Sequence, residues 1–240
     1  MILQALNKYY GRLQEEVLDN VATEGFQKQA IPFVVVLDQD GRFVELLDTR
    51  SGEGKKKTAR EFTVPKGVKK TCGIAANLLW DSPAYVLGRS KPNPIKDPAG
   101  VAAKAVEQQV CFIDNIRNAL VSAHDDVGVN AVLRFLESGE FQSVFAHPFW
   151  SDIEKTAPNL SFQLAGDSCL VCERPAVIAA LTEKGKGASM SGNQQTCLVT
   201  GESDEPTRLH TSIKGVWGAQ TSGANIVSFN RPAFTSYGKQ

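Results

Sequence analysis

Phe33-Val34-Val35-Val36-Leu37-Asp38-Gln39-Asp40-Gly41-Arg42-Phe43-Val44-Glu45-Leu46-Leu47 sets two apolar runs on either side of an Asp-Gly pair. Short runs rich in β-branched residues form strands, and Asp-Gly between them predicts a hairpin, here with a loop slightly longer than two residues. Pro32 precedes the first run. Further on, Glu61-Phe62-Thr63-Val64, ahead of Pro65, is a candidate third strand. Together these predict a small antiparallel sheet near the N-terminus.

Helical periodicity flanks this sheet. Ile2, Leu3, Leu6, Tyr9, Tyr10, Leu13, Val17 and Leu18 recur at three- and four-residue steps, predicting an amphipathic helix over roughly 3–20. Pro92, Pro94 and Pro98 mark a surface connection at 91–97. Beyond it, Ala102, Ala105, Val106, Gln109, Val110, Ile113, Ile116 and Leu120 predict a long helix over 101–123, and Val129, Val132, Leu133 and Leu136 a shorter one over 127–137. Phe141, Phe145, Phe149 and Trp150 belong to the same packed region. Leu160-Ser161-Phe162-Gln163-Leu164 alternates like a strand.

Residues 166–240 are rich in Gly, Ser and Thr, with short apolar pieces such as Cys197-Leu198-Val199 and Ile226-Val227-Ser228-Phe229. The fold class expected is α+β: a small antiparallel sheet, a central helical stretch, and a β-rich, loop-heavy final third. Two domains are expected, an α+β domain over 1–160 carrying a basic segment at 50–77, and a β-rich, cysteine-containing module over 161–240.

Lys plus Arg equals Asp plus Glu at 26 each, so whole-chain charge argues neither for nor against nucleic acid. The distribution is uneven, however. Between Arg50 and Lys70 stand Arg50, Lys55, Lys56, Lys57, Arg60, Lys66, Lys69 and Lys70 against Glu53 and Glu61, a local excess of six. Such a segment neutralises several phosphates, and it is equally what a solvated lysine-rich loop looks like. Lys69-Lys70-Thr71 followed by Gly73 and Asn77 favours the binding reading: lysine meets phosphate, glycine admits a close approach, and asparagine pairs with a base edge.

A second candidate is the stretch Ile213-Lys214-Gly215-Val216-Trp217-Gly218-Ala219-Gln220-Thr221-Ser222-Gly223-Ala224-Asn225. Its glycines free backbone NH groups for phosphate, while Lys214, Gln220, Ser222 and Asn225 supply polar contacts. It is neither a G-x4-G-K-[ST] nor a G-x-G-x-x-G motif, so nucleotide hydrolysis has no support.

The five cysteines form an odd set. Met1 to Tyr10 lacks the pattern of an export signal, so reduced thiols in a soluble, cytoplasmic protein are expected, and no stretch is long enough to span a membrane. Cys169-x2-Cys172 with Cys197 and His210 is a possible zinc set with irregular spacing in its second half; buried free thiols are the competing reading, and no cofactor is expected. His124, His147 and His210 lie far apart, and neither H-E-x-x-H nor G-x-S-x-G occurs. A non-enzymatic protein is expected. A metal-dependent nuclease would need a carboxylate cluster that the linear sequence does not display.

Met1-Ile2-Leu3-Gln4-Ala5-Leu6 with Tyr9-Tyr10, Val64-Pro65 leading to Lys69-Lys70-Thr71, Ala76-Asn77-Leu78-Leu79-Trp80-Asp81 and Tyr85-Val86-Leu87-Gly88 resemble the large subunit of the type I-C CRISPR Cascade surveillance complex. Cys197-Leu198-Val199-Thr200-Gly201, Ile213-Lys214-Gly215-Val216, Ser222-Gly223-Ala224 and Ser228-Phe229-Asn230 are similar to that family's midsection. The resemblance lies at both ends of the chain and is weakest from Ile95 to Leu160. It implies the N-terminal portion of a longer, non-catalytic subunit. Such a subunit recognises the protospacer-adjacent motif in double-stranded target DNA and supports R-loop formation. The partners implied are the backbone and crRNA-processing subunits with their crRNA, and a helicase-nuclease recruited to the R-loop. Within this reading the candidate DNA-binding residues are Lys55, Lys56, Lys57, Lys69, Lys70, Thr71, Asn77, Lys214, Gln220, Ser222 and Asn225. The alternative is a structural assembly subunit that grips guide RNA or partner subunits without reading DNA.

Overall fold

Central placement explains why Phe33–Leu37 is apolar at every position: a strand with neighbours on both edges and cover on both faces has no solvent side, and all five residues are buried. The computed structural model describes residues 2–16, 22–52, 57–68, 70, 73–92, 95, 97–188, 195–197, 199–201, 203–204, 212–213, 215–221 and 223–228. Along the chain, β1 spans Phe26–Ala30, β2 Phe33–Leu37, β3 Phe43–Asp48, β4 Arg50–Ser51, β5 Thr58–Ala59, β6 Glu61–Pro65, β7 Trp80–Asp81 and β8 Leu160–Leu164. The fold is mixed α+β with the antiparallel N-terminal sheet in place.

The main sheet has the order β3-β2-β8-β7, with β2 antiparallel to β3 and parallel to β8, and β7 antiparallel to β8. In the β2–β3 hairpin Val35 stands opposite Leu46, and the register shifts between Val36 and Leu37. The Asp38 carboxylate shapes its turn by accepting from Asp40 N (3.0 Å) and Arg42 N (2.7 Å). Gly41 is required there twice over. Its φ is +83°, and a Cβ would lie 2.6 Å from the Ala131 carbonyl oxygen. Two antiparallel ribbons, β1–β6 and β4–β5, extend the β region.

The helices are α1 (Ile2–Glu16), α2 (Pro83–Val86), α3 (Pro98–Ala119), α4 (Val127–Ser138), α5 (Gln142–Phe145), α6 (Trp150–Thr156) and α7 (Pro175–Ala188). Asp97 caps α3 by accepting from Gly100 N at 2.8 Å, with Pro98 in the first turn. Asp126 caps α4 by accepting from Val129 N at 3.0 Å, and Gly139 ends that helix in the left-handed conformation. Phe112 of α3 and Phe135 of α4 meet Phe162 of β8 at ring-centroid distances of 6.4 and 6.3 Å, and all three are fully or almost fully buried. Burying each such ring stabilises the fold by about 1.5–3 kcal/mol. This packing makes the middle of the chain the lid over the sheet.

Backbone contacts divide the chain into two units, Glu16–Gly185 and the combination of Met1–Glu15 with Lys186–Gln240. The larger holds the main sheet and its helices. In the smaller lie α1, the short antiparallel pair β9 (Gln195–Thr196) and β10 (Ser203–Asp204), and an antiparallel bridge between Ile213 and Ala224. The expected boundary at 160/161 falls inside β8, which pairs with both β2 and β7.

The hairpin, β6, β8 and the two central helices lie where the sequence places them, α3 beginning three residues earlier and giving way to a 3-10 turn at Val121–Ala123. Among the elements that the sequence does not announce, β1 and α7 have a clear physical cause. Polar Gln27, Lys28 and Gln29 hide β1, which exists because β6 pairs with it. The helix α7 buries Val177 and Ala180 within the stretch whose Gly, Ser and Thr content suggested strands. Residues 17–20 of the expected first helix lie outside the described residues.

Candidate nucleic-acid interface

The basic segment begins with Arg50, whose guanidinium is paired with two carboxylates through Nε and Nη2. Its Nε and Nη2 donate to Asp48 at 2.8 and 2.7 Å, Nη2 also reaches Asp152 of α6 at 3.1 Å, and the group lies 4.3 Å from the centroid of the Phe33 ring. The Arg50 hydrogen bond holds the Asp48 carboxyl below the usual carboxylate range, and the two carboxylates push the Arg50 guanidinium up. Arg50 therefore fastens α6 to the β region. Arg60 stacks over Phe62 at 4.9 Å.

The connection between β4 and β5 emerges beyond the Ser51–Thr58 pair and carries Lys57, which is exposed. Lys55 and Lys56 of this connection lie outside the described residues, as do Lys69 and Thr71.

Asn77 is buried, and Lys70, itself exposed, turns its ammonium onto a buried carboxylate. The Lys70 ammonium donates to both oxygens of Asp81 at 2.6 Å and sits 3.7 Å from the Tyr85 ring centroid. The Asp81 side chain is 3% exposed, that of Lys70 31%. Asp81 Oδ2 also accepts from Asn77 N at 2.9 Å and Oδ1 from Ser82 N at 2.7 Å. The Asn77 side chain is buried and its Oδ1 accepts from Val68 N at 2.9 Å. Trp80 Nε1 donates to the Pro65 carbonyl at 2.9 Å. Asp81, which sequence reasoning did not select, is thus the hub of the loop between β6 and β7. Its linear signal is its place at the end of the Ala76–Asp81 motif, directly after Trp80.

The Gly-rich loop in the smaller unit is closed by backbone. Ile213 N donates to Ala224 O at 2.8 Å and Ala224 N to Ile213 O at 2.9 Å. Gly215, Gly218 and Gly223 all have positive φ, as a loop turning this tightly requires. Gln220 and Asn225 are exposed, Ser212 Oγ donates to Asn225 Oδ1 at 2.5 Å, and Trp217 is 100% exposed. Lys214 and Ser222 lie outside the described residues.

Of the cysteine set, Cys172 is fully buried with its thiol 3.9 Å from the Thr63 carbonyl, and burial pushes that thiol's pKa up. Burial and the neighbouring Asp167 raise that of Cys169 as well. Cys197 lies in the other unit and His210 outside the described residues. Among the described residues no group of three His, Cys, Asp or Glu side chains is placed to hold a metal ion, and no helix is long and apolar enough to cross a membrane.

Comparison with known proteins adds one match: the family model for CRISPR-associated protein (Cas_Csd1) covers residues 6–240. It includes the stretch from Ile95 to Leu160, where the motif resemblance is weakest. No curated protein matches the chain.

Proposed function

The chain belongs to the Cas_Csd1 family of CRISPR-associated proteins, and from that premise we propose that it is a non-catalytic subunit of a type I-C Cascade complex in the cytoplasm, reading the protospacer-adjacent motif in duplex DNA and supporting R-loop formation. Family membership makes it a component of CRISPR defence alongside other subunits of that system. The DNA-facing role is supported by one local observation: a cation-rich connection leaves the β4–β5 ribbon with Lys57 exposed, while Arg50 and Lys70 are taken up by carboxylates. The reading therefore assigns phosphate contact to Lys55, Lys56 and Lys57, and base-edge contact to the exposed Gln220 and Asn225. A short motif needs only a few such contacts, because guide pairing reads the rest of the target.

The test uses the complete complex with guide RNA. Lys55→Glu, Lys56→Glu and Lys57→Glu together are expected to weaken binding of motif-bearing duplex and to lower the slope of log affinity against log salt by about 2–3. Gln220→Ala is expected to cost about 1–3 kcal/mol on the correct motif and little on a motif-free duplex. Unchanged duplex affinity and slope for the triple variant, with loss of guide RNA or partner subunits instead, would favour the assembly role. Cleavage of DNA on adding magnesium or manganese would overturn the non-catalytic assignment.

A further inference from the structure

We propose that Asp81 is the positioning residue for Val68, Lys70 and Asn77 in the connection between β6 and β7, with Lys70 acting as its internal counter-ion and not as a contact to nucleic-acid phosphate. The loop is gripped at three points by three side chains of one five-residue turn. Trp80 holds the Pro65 carbonyl, Asn77 holds the Val68 amide, and Asp81 holds the Lys70 ammonium while accepting from Asn77 N itself. To aim all three toward the loop, the turn places Leu79 in the left-handed region at φ +61°, a conformation costly for a residue with a Cβ. That residue is fully buried, and its carbonyl accepts from Ser161 Oγ at 3.0 Å, so the main sheet pins the turn in place.

Charge and burial exclude a casual role for Lys70. A phosphate that recruited its ammonium would leave the Asp81 carboxylate buried without its counter-charge, and breaking such a pair costs more than one exposed phosphate contact returns. The Tyr85 ring beneath the ammonium adds a second reason for it to stay. Val68, Lys70 and Asn77 consequently meet any ligand already placed, with their conformational entropy lost on folding and not on binding.

The functional part of this inference rests on the DNA reading above; the coupling of Asp81 to Lys70 does not. The experiment is a double-mutant cycle of Lys70→Met and Asp81→Asn in the full chain, with Lys70→Arg as the conservative variant. Amide hydrogen exchange is measured at Val68 and Asn77, and duplex affinity of the assembled complex against salt. Each single variant is expected to speed exchange at these two amides on the order of tenfold, with core amides near Phe162 unchanged. The double variant should be no worse than the worse single, and Lys70→Arg should restore protection. Lys70→Met should leave the salt slope of duplex binding unchanged. A slope lowered by about 0.9 with exchange unaltered would make Lys70 a phosphate contact and overturn the proposal. If the unsubstituted complex binds no duplex through this subunit, the DNA reading fails, and the exchange results still decide whether Asp81 positions the loop. Should Asp81→Asn fail to fold, the half-exposed Lys70 site carries the same exchange test.

Discussion

The loop joining β6 to β7 is held by side chains of a buried turn, and the loop between Ile213 and Ala224 is closed at its base by backbone bonds together with the Ser212–Asn225 side-chain bond. In the first, the two residues whose chemistry most suggests DNA contact, Lys70 and Asn77, face a buried carboxylate and a backbone amide. The second is closed by one reciprocal pair of backbone bonds and leaves Trp217 wholly in solvent. The same residue types thus serve opposite ends. Polar groups turned onto buried partners set a loop's shape, and exposed ones stand where a partner can reach them.

The largest expected effect comes from removing the hub of the first loop. Asp81→Ala leaves the Lys70 charge and two backbone donors without an acceptor, so denaturant unfolding should show a loss of about 2–4 kcal/mol. A loss under about 1 kcal/mol, the scale of a single net hydrogen bond, would erase the contrast between the two loops. In the second loop the equivalent weak point is a glycine. At Gly223, with φ +105° and a hypothetical Cβ 2.8 Å from Ser212 Cβ, substitution by alanine should cost about 1–3 kcal/mol locally, seen as faster exchange of the Ile213 and Ala224 amides.

Trp80→Phe keeps the ring in the core and deletes only the bond to Pro65, so about 1 kcal/mol is expected from the same unfolding measurement. The Arg50–Asp48 pair extends the test of inward charges to pH. Because Arg50 depresses the folded-state pKa of Asp48, its stabilisation is fully present above the unfolded carboxylate value of about 3.9 and is lost as pH falls through the depressed value. Arg50→Met should therefore flatten the decline of stability in that acid window. The smallest effect belongs to Trp217→Ala, which should leave stability within about 0.5 kcal/mol of the parent, so that any change in assembly or duplex binding reports on the interface itself.

Much of the fold is legible because it rests on local period. The alternation and Asp-Gly signal of the hairpin, the three- and four-residue steps of α3 and α4, and the alternating Leu160–Leu164 all reflect one-dimensional patterns. The strand β1 carries no such pattern, since its state comes from pairing with β6 more than thirty residues away. The parallel pairing of β2 with β8 joins segments well over a hundred residues apart, and no local signal specifies it.

The candidate site divides in the same way. From composition alone, the excess of cations at 50–70 was plain, as was the glycine-rich stretch at 213–225, and the motifs at both ends pointed to the CRISPR family that the match over residues 6–240 shows. Which cations face solvent was decided by tertiary structure. Arg50 finds Asp152 across 102 positions and Lys70 finds a carboxylate made accessible to it by a buried turn. A charge count treats every lysine alike because in water every lysine is hydrated alike; folding removes that water from some carboxylates, and only those demand a fixed counter-ion.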